Sequence, residues 1–197
     1  MSWQGRLAIA GVVVGALGES GVLPGAVGLP LLIVSVLAAW RYADGFWRIV
    51  ATGIAGGLIA GLLILGPGFR VAMRVVALMD PSKTPEFTVG GTFFIVIVVG
   101  GMFGAINGVS GNLIRKAAGL SSLILSGGIA GGLVLTIFVS SADLREELAT
   151  FGAGTWVNLP LFGVFALAYG IAAIAIADQL DRRTTKPSAI ERKEVPA

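Results

Sequence analysis

Two arginines one helical turn apart, Arg70 and Arg74, are the residues whose type and spacing point to binding chemistry. At i and i+4 they share one face of a helix. Their neighbours Phe69, Val71, Met73, Val75, Val76 and Leu78 are apolar. A guanidinium at the centre of a bilayer costs about 2.5–3.5 kcal/mol on insertion scales, so the pair requires a partner or an interface. Arginine grips phosphate and carboxylate with two parallel hydrogen bonds, so an anion or a lipid headgroup is the ligand this pair suits. Asp80, Glu86 and Asp143, with Glu146, are the acidic residues expected to compete as internal partners. The plainer alternative is that the arginines only snorkel and pair with these acids.

Other chemistry is sparse. The chain has no cysteine and no histidine, which removes disulfides, thiolate catalysis, the commonest general base and the commonest metal ligand. No metal or cofactor is expected. Glu146-Glu147 with Asp143 reads as a solvated charge cluster. Gly-Xaa-Gly-Asp protease motifs, paired-histidine boxes and serine–histidine arrangements are absent. A lipid-phosphate enzyme, with Arg70 and Arg74 holding phosphate and Glu86 as base, is the weakest reading, because no clear carboxylate pair supports it.

The elements that would position the arginines are membrane spans. Apolar residues make up 55% of the chain and charged residues 13%, about half the charged share of a soluble domain. Charge-free runs cover 20–40, 49–69, 87–114, 117–142 and 148–177, and about 20 residues suffice to cross a bilayer as helix. The expected fold is an all-α integral membrane protein, a six-span helical bundle with both termini cytoplasmic. Its spans fall at about 3–18, 21–40, 46–65, 91–114, 119–139 and 155–177. Gly66-Pro67-Gly68 is expected to end span three. Residues 68–79 then form a short interfacial helix on the outer face. The basic tail 182–197 is expected to be disordered, with contact to anionic lipid one use for its charge. An alternative for 1–18 is a cleaved signal peptide, with small residues Ala16 and Gly18 before the cut.

Orientation follows from the basic residues. Six spans put Arg6, Arg41, Arg48, Arg115, Lys116, Arg182 and Arg183 on one side, the cytoplasmic one. Glu19 and the acidic 143–147 loop face outward. Trp3, Trp40, Trp47 and Trp156 fall at span ends, where amphipathic rings belong. Arg70, Arg74 and Lys83 on the outer side are the exception. The net charge of +3 is accounted for by these flanks, so no nucleic-acid partner is implied.

Ile54-Ala55-Gly56-Gly57-Leu58 matches Ile129-Ala130-Gly131-Gly132-Leu133, which suggests three tandem helical hairpins, unless the match reflects only an Ile-, Ala- and Gly-rich composition. Small residues recur every four positions at Gly53/Gly57/Gly61, Gly100/Gly104/Gly108, Gly127/Gly131 and Gly128/Gly132. Such strips let backbones approach and take the place of a hydrophobic drive in lipid. Asn107, mid-span, is expected to hydrogen-bond to another helix.

These features favour a non-enzymatic structural or accessory protein of the plasma membrane, with membrane lipids, itself or another membrane protein as partners. The alternative is a small-solute transporter or channel. It would require polar or broken helices near the midplane, for which only Pro30, Asn107 and Pro160 are candidates.

Overall fold

The computed structural model describes residues 2–17, 36–38, 45–79, 88–140 and 155–185, and every regular element among them is a helix. Helix α1 is Trp3–Leu17. Helix α2 runs as Phe46–Ala60, passes through a π-helical stretch Gly61–Leu65, and continues as Gly66–Met79. Helix α3 begins as Val89–Phe94, becomes π-helical over Ile95–Phe103, and ends as Gly104–Ala118. Helix α4 is Leu123–Ser140 and α5 is Thr155–Thr185.

Three of these are long and apolar enough to cross a membrane: Phe46–Val75, Val89–Ala118 and Leu159–Thr184. The helices also carry large apolar side chains on their outer surfaces. Leu63, Phe93, Ile124 and Val164 are exposed, while glycines, small alanines, Thr52, Asn107 and Asn112 are buried. Large side chains such as Leu65, Phe69, Tyr169 and Ile174 are buried as well, so both core and surface are apolar.

The glycine strips explain the assembly. α2 and α3 pack antiparallel with Gly53 against Gly108, Gly57 against Gly104, and Gly61 against Gly100. A β-carbon on Gly104 would stand 2.5 Å from the Gly57 carbonyl oxygen, and one on Gly108 2.5 Å from that of Gly53. Only hydrogen fits at these positions, so two backbones are in contact over about two and a half turns. The remaining faces follow the same rule. Gly56 receives Ala173 and Ala177 of α5, Gly111 receives Ala130 of α4, and Gly127 and Gly131 receive α5 at Ile171 and Ala166. Tyr169 of α5, fully buried, donates its hydroxyl to the Gly104 carbonyl at 2.6 Å. α1 packs on the far end of α3, where Ala8 meets Phe46, Ile49 and Leu113, with Val36 and Ala38 alongside.

Three expectations change. Gly66-Pro67-Gly68 does not end the helix; α2 continues through it to Met79. Proline lacks an N–H and crowds the carbonyl four residues back, and the π-helical stretch immediately before Pro67 widens the helix there, with Gly66 N–H bonding five residues back to Gly61. Helix α5 continues through Thr185, so 182–185 are helical rather than part of a tail. Asn107 does not reach another helix by the bond its amide makes; its Nδ2 donates to Phe103 O in its own helix at 2.8 Å. Asn112, just over one turn on, makes the crossing instead, donating to Ile49 O at 2.9 Å and Thr52 Oγ1 at 3.1 Å.

Candidate functional site

The antiparallel α2–α3 pair has polar chemistry at both ends. At one end, Arg70 projects from α2 towards the start of α3. Its Nη2 donates to Thr92 Oγ1 at 2.6 Å and more weakly to Thr88 O at 3.4 Å. Thr88 is the N-cap of α3: its backbone is extended and its Oγ1 accepts from Gly91 N–H at 3.0 Å. Thr92 in turn donates to Thr88 O at 3.1 Å. The helix offers no acceptor to the N–H groups of Val89 and Gly90, and Gly90 has open space on its side-chain face.

The sequence motif Thr88-Val-Gly-Gly-Thr92 makes this geometry. A threonine caps the helix, Gly90 leaves its side bare, Gly91 makes room for Thr88 Oγ1 and the Arg70 guanidinium, and a second threonine one turn on accepts from the arginine. Arg70 is half-buried and Arg74, one turn later, is exposed. The two arginines therefore share a helix face, as the spacing implies, at the end of a long helix rather than on a separate interfacial one. Asp80, Glu86 and Asp143 lie outside the described residues. Thr88 and Thr92 were not singled out by residue type, because threonine is common in apolar spans; the signal was the capping position ahead of Gly-Gly.

At the opposite end, four cations from three helices surround two carboxylates. Asp178 of α5 meets Arg115 of α3 at 2.8 Å and Arg182 of its own helix at 2.9 Å. Asp181 meets Lys116 at 2.6 Å and Arg48 of α2 at 2.9 Å. Arg48 also folds back towards Gly45, which begins α2 in the left-handed conformation that glycine permits and supplies no side-chain cap. Arg6 of α1 approaches Gly119, the left-handed residue that ends α3. The basic residues that the six-span reading places on one side, Arg48, Arg115, Lys116 and Arg182, are thus joined at one end of the bundle. Asp178 and Asp181 were the missed residues. They sit past the last apolar run, and their spacing of three places them on one face of a helix that continues beyond it.

Asn112 Oδ1 and Arg115 Nη1, one turn apart on α3, are both buried without a hydrogen-bond partner among the described residues. Among the described residues no cluster of acids, histidines or cysteines is suited to a metal. A scan against protein-family models, a search of curated proteins and a search of solved structures each find no match to this chain.

Proposed function

We propose that this is a non-enzymatic accessory protein of the plasma membrane that holds an anionic lipid headgroup at its Arg70 end. The carrying observation is the placement of the Arg70 guanidinium beside the N-terminus of α3. A helix N-terminus carries partial positive charge and free N–H donors, and a guanidinium adds a full charge and further donors. Both favour an anion, and neither favours the other's presence. A phosphate seated there would accept from Arg70, from the first-turn N–H groups of α3, and from Thr92. Arg74, exposed one turn further along, extends the same face.

Depth supports a headgroup as the ligand. About 36 Å of helix separates Phe46 from Arg70 at 1.5 Å per residue, against about 30 Å of hydrocarbon. With Trp47 at one interface, Arg70 reaches the opposite headgroup layer. In this reading the chain crosses six times as three tandem hairpins, both termini are cytoplasmic, and the Arg70 end faces outward. Its other partners are itself or a second membrane protein.

The test is lipid retention by native mass spectrometry of the full chain, comparing phosphatidylglycerol with phosphatidylcholine. Arg70→Lys and Arg74→Lys keep the charge but lose the planar two-bond geometry, and each is expected to weaken retention of the anionic lipid, while Glu86→Gln leaves it unchanged. Retention indifferent to the lysine changes, with destabilisation by Glu86→Gln or Asp143→Asn, would reduce the arginines to internal ion-pair partners.

A further inference from the structure

We infer a second, distinct phosphate-binding surface at the opposite end of the bundle, formed by Arg48, Lys116 and Arg182 and occupied by an anionic phospholipid headgroup. The argument begins from charge. Two carboxylates, Asp178 and Asp181, are contacted by Arg48, Arg115, Lys116 and Arg182, so the cluster carries two more positive charges than negative.

Burial then separates the cations by role. The Arg115 side chain is 11% exposed and is committed to Asp178 inside the bundle. Arg48, Lys116 and Arg182 are 43%, 31% and 78% exposed. Each of these three gives one edge to a carboxylate and keeps further N–H donors outward, since lysine has three and arginine five. Their surface is assembled from the start of α2, the end of α3 and the end of α5, all at the level where the long apolar helices stop. Further along the same helices, Trp47 and Ile54 of α2 and Ile106 of α3 are exposed and apolar. A ligand that satisfies both zones has a phosphate and an acyl chain, which selects a phospholipid over a free anion. The aspartates orient the cations: Asp181 holds Arg48 and Lys116 together, so a phosphate meets a preformed pair rather than two free chains. This inference shares with the function proposed above only that the chain lies in a membrane.

Photolabelling tests it. The full chain is reconstituted in phosphatidylcholine nanodiscs containing a phosphatidylglycerol with a photoreactive group near its headgroup, and labelled peptides are mapped. Peptides containing residues 45–48, 115–122 and 178–185 are expected to carry label separate from any on 70–92. Lys116→Gln and Arg182→Gln, singly or together, leave every aspartate with at least one cationic partner, so the fold is retained. Each is expected to lower that label about fivefold, as one basic group near an anionic surface does, and both together about 25-fold. Lys116→Arg is expected to keep it. No label at this end in the wild-type protein, or unchanged label in the double variant, would overturn the proposal. Displacement of the label by millimolar inorganic phosphate would overturn the lipid as occupant.

Discussion

The two ends of the α2–α3 pair start from the same parts and complete them differently. Each has a helix N-terminus near an arginine: α3 beginning at Thr88 beside Arg70, and α2 beginning at Gly45 beside Arg48. At the Arg48 end, a third helix supplies Asp178 and Asp181, and the charges are neutralised in part by covalently fixed carboxylates. At the Arg70 end, Thr88 and Thr92 supply hydroxyl and carbonyl oxygens. Among the described residues, carboxylates of a third helix join the cations at the first end, and hydroxyl and carbonyl oxygens orient the Arg70 guanidinium at the second. The first end therefore reads as the clasp that closes the bundle, and the second as the end where the proposed headgroup would be held.

That contrast presumes a rigid strut between the ends, so the largest effect is expected from breaking it. Gly57→Leu or Gly104→Leu drives a side chain into the facing backbone, and a loss of about 3 kcal/mol is expected, visible as a lower unfolding midpoint in detergent. Gly128→Leu and Gly132→Leu meet nothing within 4 Å and are expected to stay within about 0.5 kcal/mol. Equal effects at both strips would remove the strut. Next, Asp181→Asn strips Arg48 and Lys116 of their shared carboxylate. A loss of about 2 kcal/mol is expected in low salt, shrinking as ionic strength rises because the group is only partly buried. An effect that salt does not touch would show that the clasp is packing rather than charge. At the other end, Thr88→Ala deletes the cap of α3 and is expected to cost about 1 kcal/mol. Salt dependence there, with none at Asp181, would invert the comparison. Smallest is Arg182→Gln, where a mostly exposed i,i+4 pair is lost; thermal unfolding is expected to register about 0.5 kcal/mol or less.

The long elements were legible in the sequence because lipid demands them: a charge-free run of the right length has few alternatives to a spanning helix. The glycine strips were legible as strips, since a spacing of four is a property of one helix. Their pairing, Gly53 with Gly108 and Gly61 with Gly100, was not, because register between two helices has no local signature. Gly66-Pro67-Gly68 misled for a specific reason. Local propensity reads Gly-Pro-Gly as a break, but Gly66 is packed on Val96 of α3, and tertiary contact sustains a helix that propensity would end. Of the polar residues, Arg70 and Arg74 stood out because arginine in an apolar segment is costly. Asp178 and Asp181 did not, because acids after a span are ordinary until the cations that face them are known.

The length of the paired helices has a consequence for the membrane around them. The charge-free part of α2, 49–69, gives about 32 Å of helix and matches a hydrocarbon layer of about 30 Å, whereas that of α3, 89–114, gives about 39 Å and exceeds it. A lone helix with the apolar length of α3 would tilt to take up the mismatch. These two cannot tilt independently, because their backbones are in contact at three glycine pairs and neither can slide past the other. Mismatch is taken up as one shared lean of the pair. In the proposed placement, bilayer thickness thereby sets how far the Arg70 end stands above the acyl chains, and a thicker membrane would draw the guanidinium and the Thr88 helix start down together into the headgroup layer.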